Sequence, residues 1–565
     1  MPEAFPAALL LPGDAFDTSQ HQVMGRRVAG RGFAEAMAAS LRPGERLELV
    51  GFSQQDLQSL ASLLQPRLPA GAELILRLGL SPSRLHEAGA LHLPDPGLAR
   101  WGLLRATSAP HAFSLSGVIH TVCSETVLTS LEQLYSAPLH PWDALVCTSR
   151  AGQQVVQQAL EGFRERLSSR LGVALPPAPG PTLPIIPLGL DPAPFQSAES
   201  RHQARRRARQ SLGLPADAYV VLFVGRLSFH SKAHPLVLYR ALNQLALEQP
   251  GVVLLECGHL FNAPIAAAYD ELAAQCPDLQ VCRVGGLEPA TEQQKQLCLA
   301  AADVFCSPAD NLQETFGLSI LEAMAAELPV LASDWNGYRD LVEPGVTGEL
   351  VPTTAWFPPQ GQIDGLERDY RLGFVDYDTM IGLRSLAVAV DPEWLLAVLR
   401  HWREQPQQRQ ALGLAGRQRL ERQFSWSVVA EQYRQLWQEL AERRDHARRQ
   451  QPAAPPEPGV TPYRTLFAHY PSCCSDTVQP QTFAAAASPP APAGSIAPAP
   501  TPPAWLRQAM QQHFLTRLVG ADLEPLIQHL ERHGRLDADD LAALGIALPQ
   551  QPLLLQALRK LGVLV

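Results

Sequence analysis

Short apolar runs alternate with segments of helical periodicity along most of the first 350 residues. In the first part of the chain the apolar runs lie at 7–11, 46–52, 72–78, 117–122 and 143–149. The alternation then restarts, with apolar runs at 218–225, 252–258, 279–286, 303–307 and 328–334. Continuous apolar runs of this length are typical of strands that helices cover on both faces, as in parallel sheets. The pattern predicts an α/β protein with two consecutive doubly wound domains.

Changes in composition divide the chain into five predicted segments. The proline-rich stretch "PPAPGPTLPIIPLGLDPAPF" suits a connection between the two α/β domains. The stretch "FSWSVVAEQYRQLWQELAERRDHARRQ" has the periodicity of a long amphipathic helix, and the Pro/Ala-rich stretch after it has too few large apolar groups to pack. The predicted segments are an N-terminal domain at 1–190, a C-terminal domain at 191–424, the long helix at 425–450, a Pro/Ala-rich tether at 451–504 and a small helical domain at 505–565.

The composition excludes several classes of protein. With 46% hydrophobic and 18% charged residues, the chain is globular, and its net charge of -9 argues against broad binding to nucleic acid. Nine cysteines lack the spacing of a zinc site, and several lie in apolar runs, which favours a reducing compartment. No basic region precedes a long apolar one at the N-terminus, and no run approaches the ~20 apolar residues of a membrane span. The chain is therefore predicted to be cytoplasmic.

The stretch "QETFGLSILEAMAAELPVLASDW" carries Glu314 and Glu322 eight positions apart. A helix is predicted to begin near Phe316, so that Glu314 lies just before its start and Glu322 just over a turn inside it. The first turn of a helix presents unpaired N–H groups and the positive end of the helix dipole, and it therefore suits an anion such as a diphosphate. Gly317 would let that anion approach the backbone closely. Carboxylates on either side would accept hydrogen bonds from hydroxyls, so the arrangement suits a sugar nucleotide. The alternative is a solvated helix face, on which two glutamates at this spacing are common.

Two cations, Arg226 and Lys232, lie in the loop "GRLSFHSKAHP" directly after a predicted strand. The carboxyl edge of a parallel sheet is where such folds bind ligands. Two cations at that edge would neutralise a leaving diphosphate. The alternative is that both are ordinary exposed loop cations.

Three segments resemble a known family, namely "FVGRLSFHSKAHPL", "CSPADNLQETFGLSILEAMAAELPVLASDWNGYRDLVEPGVTGELVP" and "IIPLGLDPAPF". They are similar to the retaining, sugar-nucleotide-dependent glycosyltransferases of the GT-B fold, the group known for an E-x7-E motif. The similar region covers 184–353 almost continuously. The resemblance implies two Rossmann-like domains that face each other across a cleft, with the acceptor on the side of the first domain and the donor on the second.

The same resemblance implies a role for individual residues. The implied donor-binding residues are Arg226, Lys232, Phe316, Gly317, Leu318 and Glu322. Arg226 and Lys232 would bind the diphosphate, and Glu322 would bind the ribose of the nucleotide. Glu314 would contact hydroxyls of the donor sugar and act at the reacting centre without becoming a covalent nucleophile.

The first domain resembles the family at fewer positions. "FSLSGVIHTVCSE" is similar to the segment that carries a histidine beside the reacting sugar, which implies His120 as a second catalytic residue, with a structural histidine as the alternative. The glycine-rich turn after the first strand is irregular, because Gly13 stands alone in "LLPGDAFD" and the next glycines come only in "GRRVAGRGF". The long Trp-containing helix resembles the last helix of the family, which crosses back onto the first domain.

The implied reaction is glycosyl transfer with retention of configuration by a front-face mechanism. Preorganised donors at Arg226, Lys232 and the helix N-terminus at Gly317 would stabilise the departing diphosphate. No Asp-x-Asp pattern that would hold a metal for this reaction is expected in either domain, so the enzyme is predicted to need no metal. No cofactor is expected beyond the sugar-nucleotide substrate. The predicted acceptor carries a hydroxyl and is a carbohydrate, a lipid-linked molecule or a small metabolite.

Two other functions remain open from the sequence. One is an inactive sugar-nucleotide-binding or scaffold protein that recruits a protein partner through its tether and residues 505–565. The other is an enzyme of the same architecture that carries out phosphorolysis or epimerisation. Release of a nucleoside diphosphate in the presence of a donor separates the glycosyltransferase from the scaffold.

Two further features have ordinary explanations. The run "RHQARRRARQ" at 201–210 is predicted to be a solvated helix face, with a weak peripheral contact to a membrane as the alternative. Cys473 and Cys474 are adjacent but have no histidine or cysteine at metal-ligand spacing, which argues against a metal site in the tether.

Overall fold

The computed structural model describes residues 4–18, 25–79, 88–106, 110–195, 200–359, 361–451, 459–470, 483–484, 524–533, 535–536, 538–546 and 551–560. The chain divides into two units, Met1–Val460 and Thr461–Val565. The larger unit contains two six-stranded sheets, in which every pair of neighbouring strands is parallel.

The strands are numbered along the described chain. The first sheet contains β1 (Ala8–Leu10), β2 (Arg46–Gly51), β3 (Glu73–Leu78), β4 (Ala90–Leu93), β5 (Ser114–Val118) and β6 (Ala144–Val146). The second contains β7 (Tyr219–Leu227), β8 (Val252–Leu260), β9 (Gln280–Gly286), β10 (Val304–Ser307), β11 (Val330–Ser333) and β12 (Gly348–Val351). Two short antiparallel pairs are formed by β13 (Thr353–Ala355) with β14 (Val388–Val390) and by β15 (Phe483–Ala484) with β16 (Arg535–Leu536).

The helices are numbered in the same way. Those of the first domain are α1 (Gly13–Phe16), α2 (Gly25–Ala39), α3 (Gln54–Leu64), α4 (Leu98–Ala106), α5 (Glu125–Ser136) and α6 (Arg150–Leu171). The second domain contains α7 (Arg201–Ser211), α8 (Leu236–Glu248), α9 (Ala263–Ala274), α10 (Glu292–Ala301), α11 (Leu318–Ala325), α12 (Tyr338–Leu341), α13 (Gly365–Arg371), α14 (Tyr377–Ser385), α15 (Pro392–Glu404) and α16 (Pro406–Arg419). The remaining helices are α17 (Trp426–Gln450), α18 (Tyr463–Phe467), α19 (Glu524–His533), α20 (Ala538–Ala543) and α21 (Gln551–Lys560).

Both sheets have the same winding. Their strand orders are β3-β2-β1-β4-β5-β6 and β12-β11-β10-β7-β8-β9. In each sheet the first three strands follow one another in one direction, and the fourth strand is added on the other side of the first, so the strand order reverses there. In such sheets ligands bind outside the carboxyl ends of the strands at that reversal. In the second sheet the reversal lies between β7 and β10, which places the loops after these two strands side by side.

The α/β class and the two doubly wound domains predicted from the apolar runs are confirmed. Each predicted run forms a strand, although the run at 117–122 is displaced, because β5 ends at Val118 and leaves His120 beyond it. Two strands of the six-stranded sheets, β4 and β12, were not predicted, and neither were the short strands β13, β14, β15 and β16. β4 carries His92 within its short apolar run, and β12 begins with Gly348 and Glu349, which leave only two apolar residues after them.

The proline-rich connection is packed against the first sheet. Thr182 accepts the N–H of Leu145 at 2.8 Å, and Ile186 donates its N–H to Cys147 at 3.0 Å, so this segment continues the sheet beyond β6. The long helix α17 also returns to the first domain. Trp437 donates its indole N–H to Ser116 at 2.9 Å. The segment boundaries drawn from the sequence stay a prediction.

The arginine-rich helix α7 is not a solvated face throughout. Arg209 is 1% exposed and pairs with Asp303 at 2.7 Å. Arg205, one turn earlier, pairs with the other oxygen of the same carboxylate at 2.6 Å. The prediction of a solvated face is therefore wrong for Arg209, because helical spacing places it over the start of β10.

The smaller unit has its own apolar core, formed by leucines and isoleucines of α19, β16, α20 and α21. Most of the tether, including Cys473 and Cys474, lies outside the described residues. Within the described part of the chain, no helix combines the length and apolar character needed to cross a membrane. The cytoplasmic location stays a prediction.

Candidate functional site

A cavity of about 360 Å³ lies between the two α/β domains, at the carboxyl edge of the second sheet. Its lining includes all the site residues predicted from the sequence, namely His120, Arg226, Lys232, Glu314, Phe316, Gly317, Leu318 and Glu322. His120 comes from the loop after β5, and the other seven come from the second domain. The structure thus brings together residues that are almost 200 positions apart in the sequence.

Glycines open the floor of the cavity where neighbouring strands end. Gly225 of β7 is in register with Gly258 of β8. A Cβ atom at Gly258 would lie 1.8 Å from the carbonyl oxygen of Gly225, so no side chain fits there. A ligand in the cavity therefore meets bare backbone at this edge.

Helix α11 begins at Leu318, two residues later than predicted. Its N-cap is Gly317, whose φ of 114° lies in the left-handed region that favours glycine. A Cβ atom at this position would lie 2.6 Å from the ring of Tyr338. Backbone conformation and the Tyr338 ring therefore require the glycine, whether or not a ligand approaches it. The first turn of the helix lines the cavity, where its unpaired N–H groups can meet an anion.

Each glutamate of the E-x7-E motif is paired with a lysine. Glu314 forms an ion pair with Lys232, and Glu322 forms one with Lys295 at 2.5 Å. The glutamate side chains are only 11% and 13% exposed, respectively. Burial opposes ionisation of Glu314, but the Lys232 ammonium and local hydrogen bonds prevail and lower its pKa below the ordinary value. Both carboxylates are therefore held in place before any hydroxyl reaches them.

Lys295, on α10, was not predicted as a site residue. Burial opposes its charge, but the carboxylates of Glu322 and Glu292 prevail and raise its pKa. The sequence did contain a signal. Of 46 basic residues, 43 are arginines and only three are lysines, namely Lys232, Lys295 and Lys560. Two of these three lysines line the cavity, where a compact ammonium donates in several directions, unlike the planar fork of an arginine.

Arg226 is the cation in the cavity without a fixed partner. It is half-buried, and within the described part of the chain its guanidinium forms no hydrogen bond or ion pair. Burial lowers its pKa, although the nearby Tyr377, Asp378 and Glu314 oppose that effect. A partly desolvated cation that faces a cavity without a counterion suits the binding of an anionic ligand.

His120 contacts the glutamate loop through its backbone. Its carbonyl accepts the hydroxyl of Thr315 at 2.7 Å, and Ser149 donates to the carbonyl of Thr315 at 2.9 Å. Burial, with a smaller effect from Arg26, lowers the pKa of His120 to about 4. The imidazole is therefore neutral near pH 7 and can hydrogen-bond to a ligand without adding charge.

The irregular glycines of the first domain have separate roles. Gly25 lines the cavity beside Arg26, which pairs with Asp14 at 2.8 Å. Gly30 and Gly32 serve packing instead. A Cβ atom at Gly30 would lie 2.1 Å from the carbonyl oxygen of Ala15, and one at Gly32 would meet the indole of Trp426 at 2.8 Å.

No three His, Cys, Asp or Glu side chains of the described residues lie close enough to share a metal ion. The expectation that neither domain has an Asp-x-Asp pattern is wrong, because Asp376 and Asp378 form one in the second domain. Asp376 caps helix α14 by accepting the N–H of Thr379 at 2.7 Å, and neither aspartate is among the residues that line the cavity. Metal independence stays a prediction.

Asp310, in the loop after β10, provides a prediction about stability. Its carboxyl group is 6% exposed and accepts the N–H of His234 at 3.0 Å, while burial raises its pKa from 3.8 to about 7. The folded state thus binds this proton more tightly than the unfolded state, and stability should fall as pH rises from about 4 to about 7. We expect Asp310→Asn to be more stable than the wild type above pH 7 by on the order of 4 kcal/mol, and similar to it below pH 4. Chemical denaturation at several pH values measures this difference, with the exposed Asp217→Asn as control, and a difference that does not vary with pH would contradict the prediction.

Part of the second domain matches a known protein family, and the chain is similar to a curated protein over about a third of its length. Residues 204–369 match the model of the family "Glycosyl transferases group 1". D-inositol 3-phosphate glycosyltransferase of Mycobacterium tuberculosis is 32% identical over 206 residues, which are 35% of this chain and 39% of the relative. The match therefore spans about two fifths of the length of that relative.

Solved structures extend the likeness to both domains. A glycosyltransferase from Rickettsia africae superposes with a TM-score of 0.51 at 15% identity and covers 78% of this chain and 98% of its own. Anabaena Alr3699/HepE in complex with UDP gives a TM-score of 0.49 at 17% identity, over 77% of this chain and all of its own. The GT-B fold expected from the sequence, with two Rossmann-like domains across a cleft, is confirmed.

Proposed function

We propose that the protein is a retaining glycosyltransferase that transfers a sugar from a nucleotide-diphosphate sugar to a hydroxyl-bearing acceptor without a metal ion. The observation that supports this most directly is the arrangement around α11. The N-terminus of α11, the guanidinium of Arg226 and the ammonium groups of Lys232 and Lys295 line the same cavity, together with the buried carboxylates of Glu314 and Glu322. The match of residues 204–369 to group 1 glycosyltransferases supports the same activity.

The diphosphate of the donor would rest on the first turn of α11. Arg226 would bind it without first breaking an ion pair, because no carboxylate of the described residues lies at hydrogen-bond distance from its guanidinium. Lys232 would remain between Glu314 and the phosphate and donate to both, as an ammonium with three N–H groups can. Negative charge that develops on the leaving diphosphate would then be stabilised by groups that are already in place.

The two carboxylates would bind the hydroxyl-bearing ends of the donor. Glu314 would accept from hydroxyls of the transferred sugar, and Glu322, fixed by Lys295, from the ribose. A free carboxylate could turn away or repel the phosphate, and the lysine partners prevent both. This preorganisation favours a sugar nucleotide over a plain nucleotide.

The reaction would break the bond between the anomeric carbon and the diphosphate oxygen, whose electron pair leaves with the diphosphate. The acceptor oxygen would form its bond to the anomeric carbon on the same face of the sugar, and its proton would pass to the departing phosphate oxygen. Neutral His120 would hydrogen-bond to the sugar while positive charge develops on the ring, and Glu314 would stabilise that charge. Glu314 would form no covalent bond in this scheme.

A donor panel tests the proposal. The purified full chain is screened by thermal shift against UDP, GDP and ADP sugars, because a ligand that binds the folded state raises the apparent stability. Nucleoside diphosphate release is then measured with an acceptor panel that includes inositol phosphate, and NMR determines the anomeric configuration of the product. Binding without release would instead favour the scaffold function. Inversion of configuration would contradict retention.

His120 carries a separate prediction. We expect His120→Ala to lower kcat by about tenfold, because one hydrogen bond to the reacting sugar is lost. With a pKa of about 4, His120 should contribute no ascending limb to the wild-type pH–rate profile between pH 5 and 8. The profile is measured for the wild type and for His120→Asn, which keeps a hydrogen-bond donor. A limb near pH 6.5 that disappears in His120→Asn would show that the histidine titrates there and contradict the neutral role.

A further inference from the structure

A second cavity, of about 470 Å³, adjoins the donor cavity and shares Glu314 and Thr315 with it. Its other walls are largely apolar and come from both domains. They include Val122, Leu128, Val155, Trp335, Phe357 and Met380. A molecule in this second cavity would therefore reach the same glutamate that the donor sugar reaches from the other side.

One wall belongs to a segment of the second domain that leaves the sheet after β12, residues 353–359 and 361–390, which is called the insertion below. β13 and β14 pair at its base, and α13 and α14 extend from them towards the first domain. The Tyr370 hydroxyl accepts the N–H of Glu125 at 2.9 Å. The Tyr377 hydroxyl lies 3.3 Å from the thiol of Cys123. These contacts attach the insertion to the first domain, so the cavity is enclosed by specific side-chain contacts.

The charged side chains of this cavity are already neutralised. Arg384 pairs with Asp364 at 2.7 Å. Arg371 pairs with Glu367 at 3.0 Å and with Glu125 at 3.5 Å. A phosphate group in the cavity would have to compete with these carboxylates for the two arginines. The charge pattern therefore disfavours a phosphorylated acceptor and suits an uncharged one.

A polar group lies at the end of the cavity next to Glu314. Asn336 has a φ of 42°, in the left-handed region that few residues other than glycine adopt. Its amide N–H donates to the carbonyl of Glu314, while its Oδ1 has no hydrogen-bond partner among the described residues. A small rotation of this amide would offer an acceptor to a hydroxyl beside the reacting centre.

We propose that this second cavity binds the acceptor, and that the acceptor carries an alkyl or aryl group attached to the sugar or alcohol that supplies the reacting hydroxyl. The apolar group fills the space between Phe357, Val155 and Met380, and the hydroxyl points towards Asn336 and Glu314. This inference rests on the proposed glycosyltransferase function and names the substrate class on the acceptor side. It assigns the insertion a role in selecting the substrate.

The test compares three acceptors with the same sugar ring, namely glucose, phenyl β-glucoside and glucose 6-phosphate, with the donor found in the panel. We expect kcat/KM for phenyl β-glucoside to exceed that for glucose by roughly tenfold or more, since burial of an apolar group in a fitting pocket gives discrimination of this size. Glucose 6-phosphate should be no better than glucose. Equal values for glucose and phenyl β-glucoside would overturn the inference.

Variants connect this preference to the cavity. Phe357→Ser and Val155→Glu should remove the preference for the phenyl group. Phe357 is 49% exposed, so its replacement should not unfold the protein. The matched control is Phe374→Ser, because this aromatic residue of the same insertion is 80% exposed and does not line the cavity. A preference that survives both cavity variants would overturn the inference.

Direct binding distinguishes failure of this inference from failure of the proposed function. Isothermal titration calorimetry of phenyl β-glucoside is carried out with the full chain and with the three variants, without any donor. Binding that Phe357→Ser weakens roughly tenfold and Phe374→Ser leaves intact supports the apolar site, even if no sugar nucleotide is ever turned over. Absence of binding to the wild type, in a preparation that transfers sugar to other acceptors, would overturn the site and leave the proposed function standing.

Discussion

Lys232→Ala is expected to lower kcat/KM for the sugar nucleotide by about a thousandfold, because removal of one preorganised donor from a developing anion has effects of this size. It should also destabilise the fold. Glu314 is 11% exposed and loses its ion-pair partner in this variant. An uncompensated buried carboxylate costs on the order of 3 kcal/mol. Turnover at saturating acceptor and chemical denaturation measure the two effects separately.

The pairing of Lys232 with Glu314 provides its own controls. Glu314→Gln should lower turnover strongly with a smaller loss of stability, because an amide tolerates burial without a counterion. The double variant Lys232→Ala with Glu314→Gln should therefore be more stable than Lys232→Ala alone, yet remain inactive. Lys232→Arg keeps the charge but changes its geometry and should retain part of the activity. Wild-type rates in both Lys232→Ala and Glu314→Gln would show that neither residue takes part in the mechanism.

Much of the fold was visible in the sequence because strands buried on both faces leave a continuous apolar run. β10 and β11, buried along their whole length, produced clear runs. β4 did not, because His92 interrupts it. That histidine is buried, and its Nδ1 forms a hydrogen bond with the hydroxyl of Ser116 at 2.9 Å. A period-based prediction cannot anticipate a polar side chain whose partner lies on another strand.

The sequence predicted the part of the candidate site that is local in the chain, but not the residue that packing brings to it. Glu314, Gly317 and Glu322 lie within nine residues, in the loop before α11 and its first turns, so their proximity follows from local chain geometry. Lys295 was not found, because its partner Glu322 is 27 residues away on another helix. The rarity of lysine in this chain was the signal that pointed to it.

The second cavity left no pattern in the sequence. Val155 and Phe357 are about 200 positions apart and become neighbours only through the packing of two domains and an insertion. The insertion itself is amphipathic over short helices, a pattern that also fits an ordinary surface excursion. The contacts of Tyr370, Tyr377 and Arg371 with the first domain show that it bounds a cavity.

Arg226→Met is expected to lower activity strongly without lowering the stability of the fold. The variant removes the guanidinium but keeps most of the apolar stem, and kcat/KM for the donor should fall by about a hundredfold or more. No carboxylate of the described residues pairs with Arg226, so the variant leaves no buried carboxylate without its ion-pair partner. Burial disfavours the charged guanidinium, as the lowered pKa of Arg226 indicates. The free protein should therefore be as stable as the wild type or more stable, in contrast to Lys232→Ala.

The same variant should respond less to ligand. Stabilisation by a bound nucleoside diphosphate depends on the ratio of its concentration to Kd, so a weaker complex gives a smaller thermal shift at equal concentration. We expect the Tm of ligand-free Arg226→Met to equal or exceed that of the wild type, and its shift with nucleoside diphosphate to shrink. Arg226→Lys is the matched control, since it keeps the charge and should recover part of the shift. A large loss of Tm without ligand would show that Arg226 has a structural partner, and the cation would then no longer be available to bind the diphosphate at low cost.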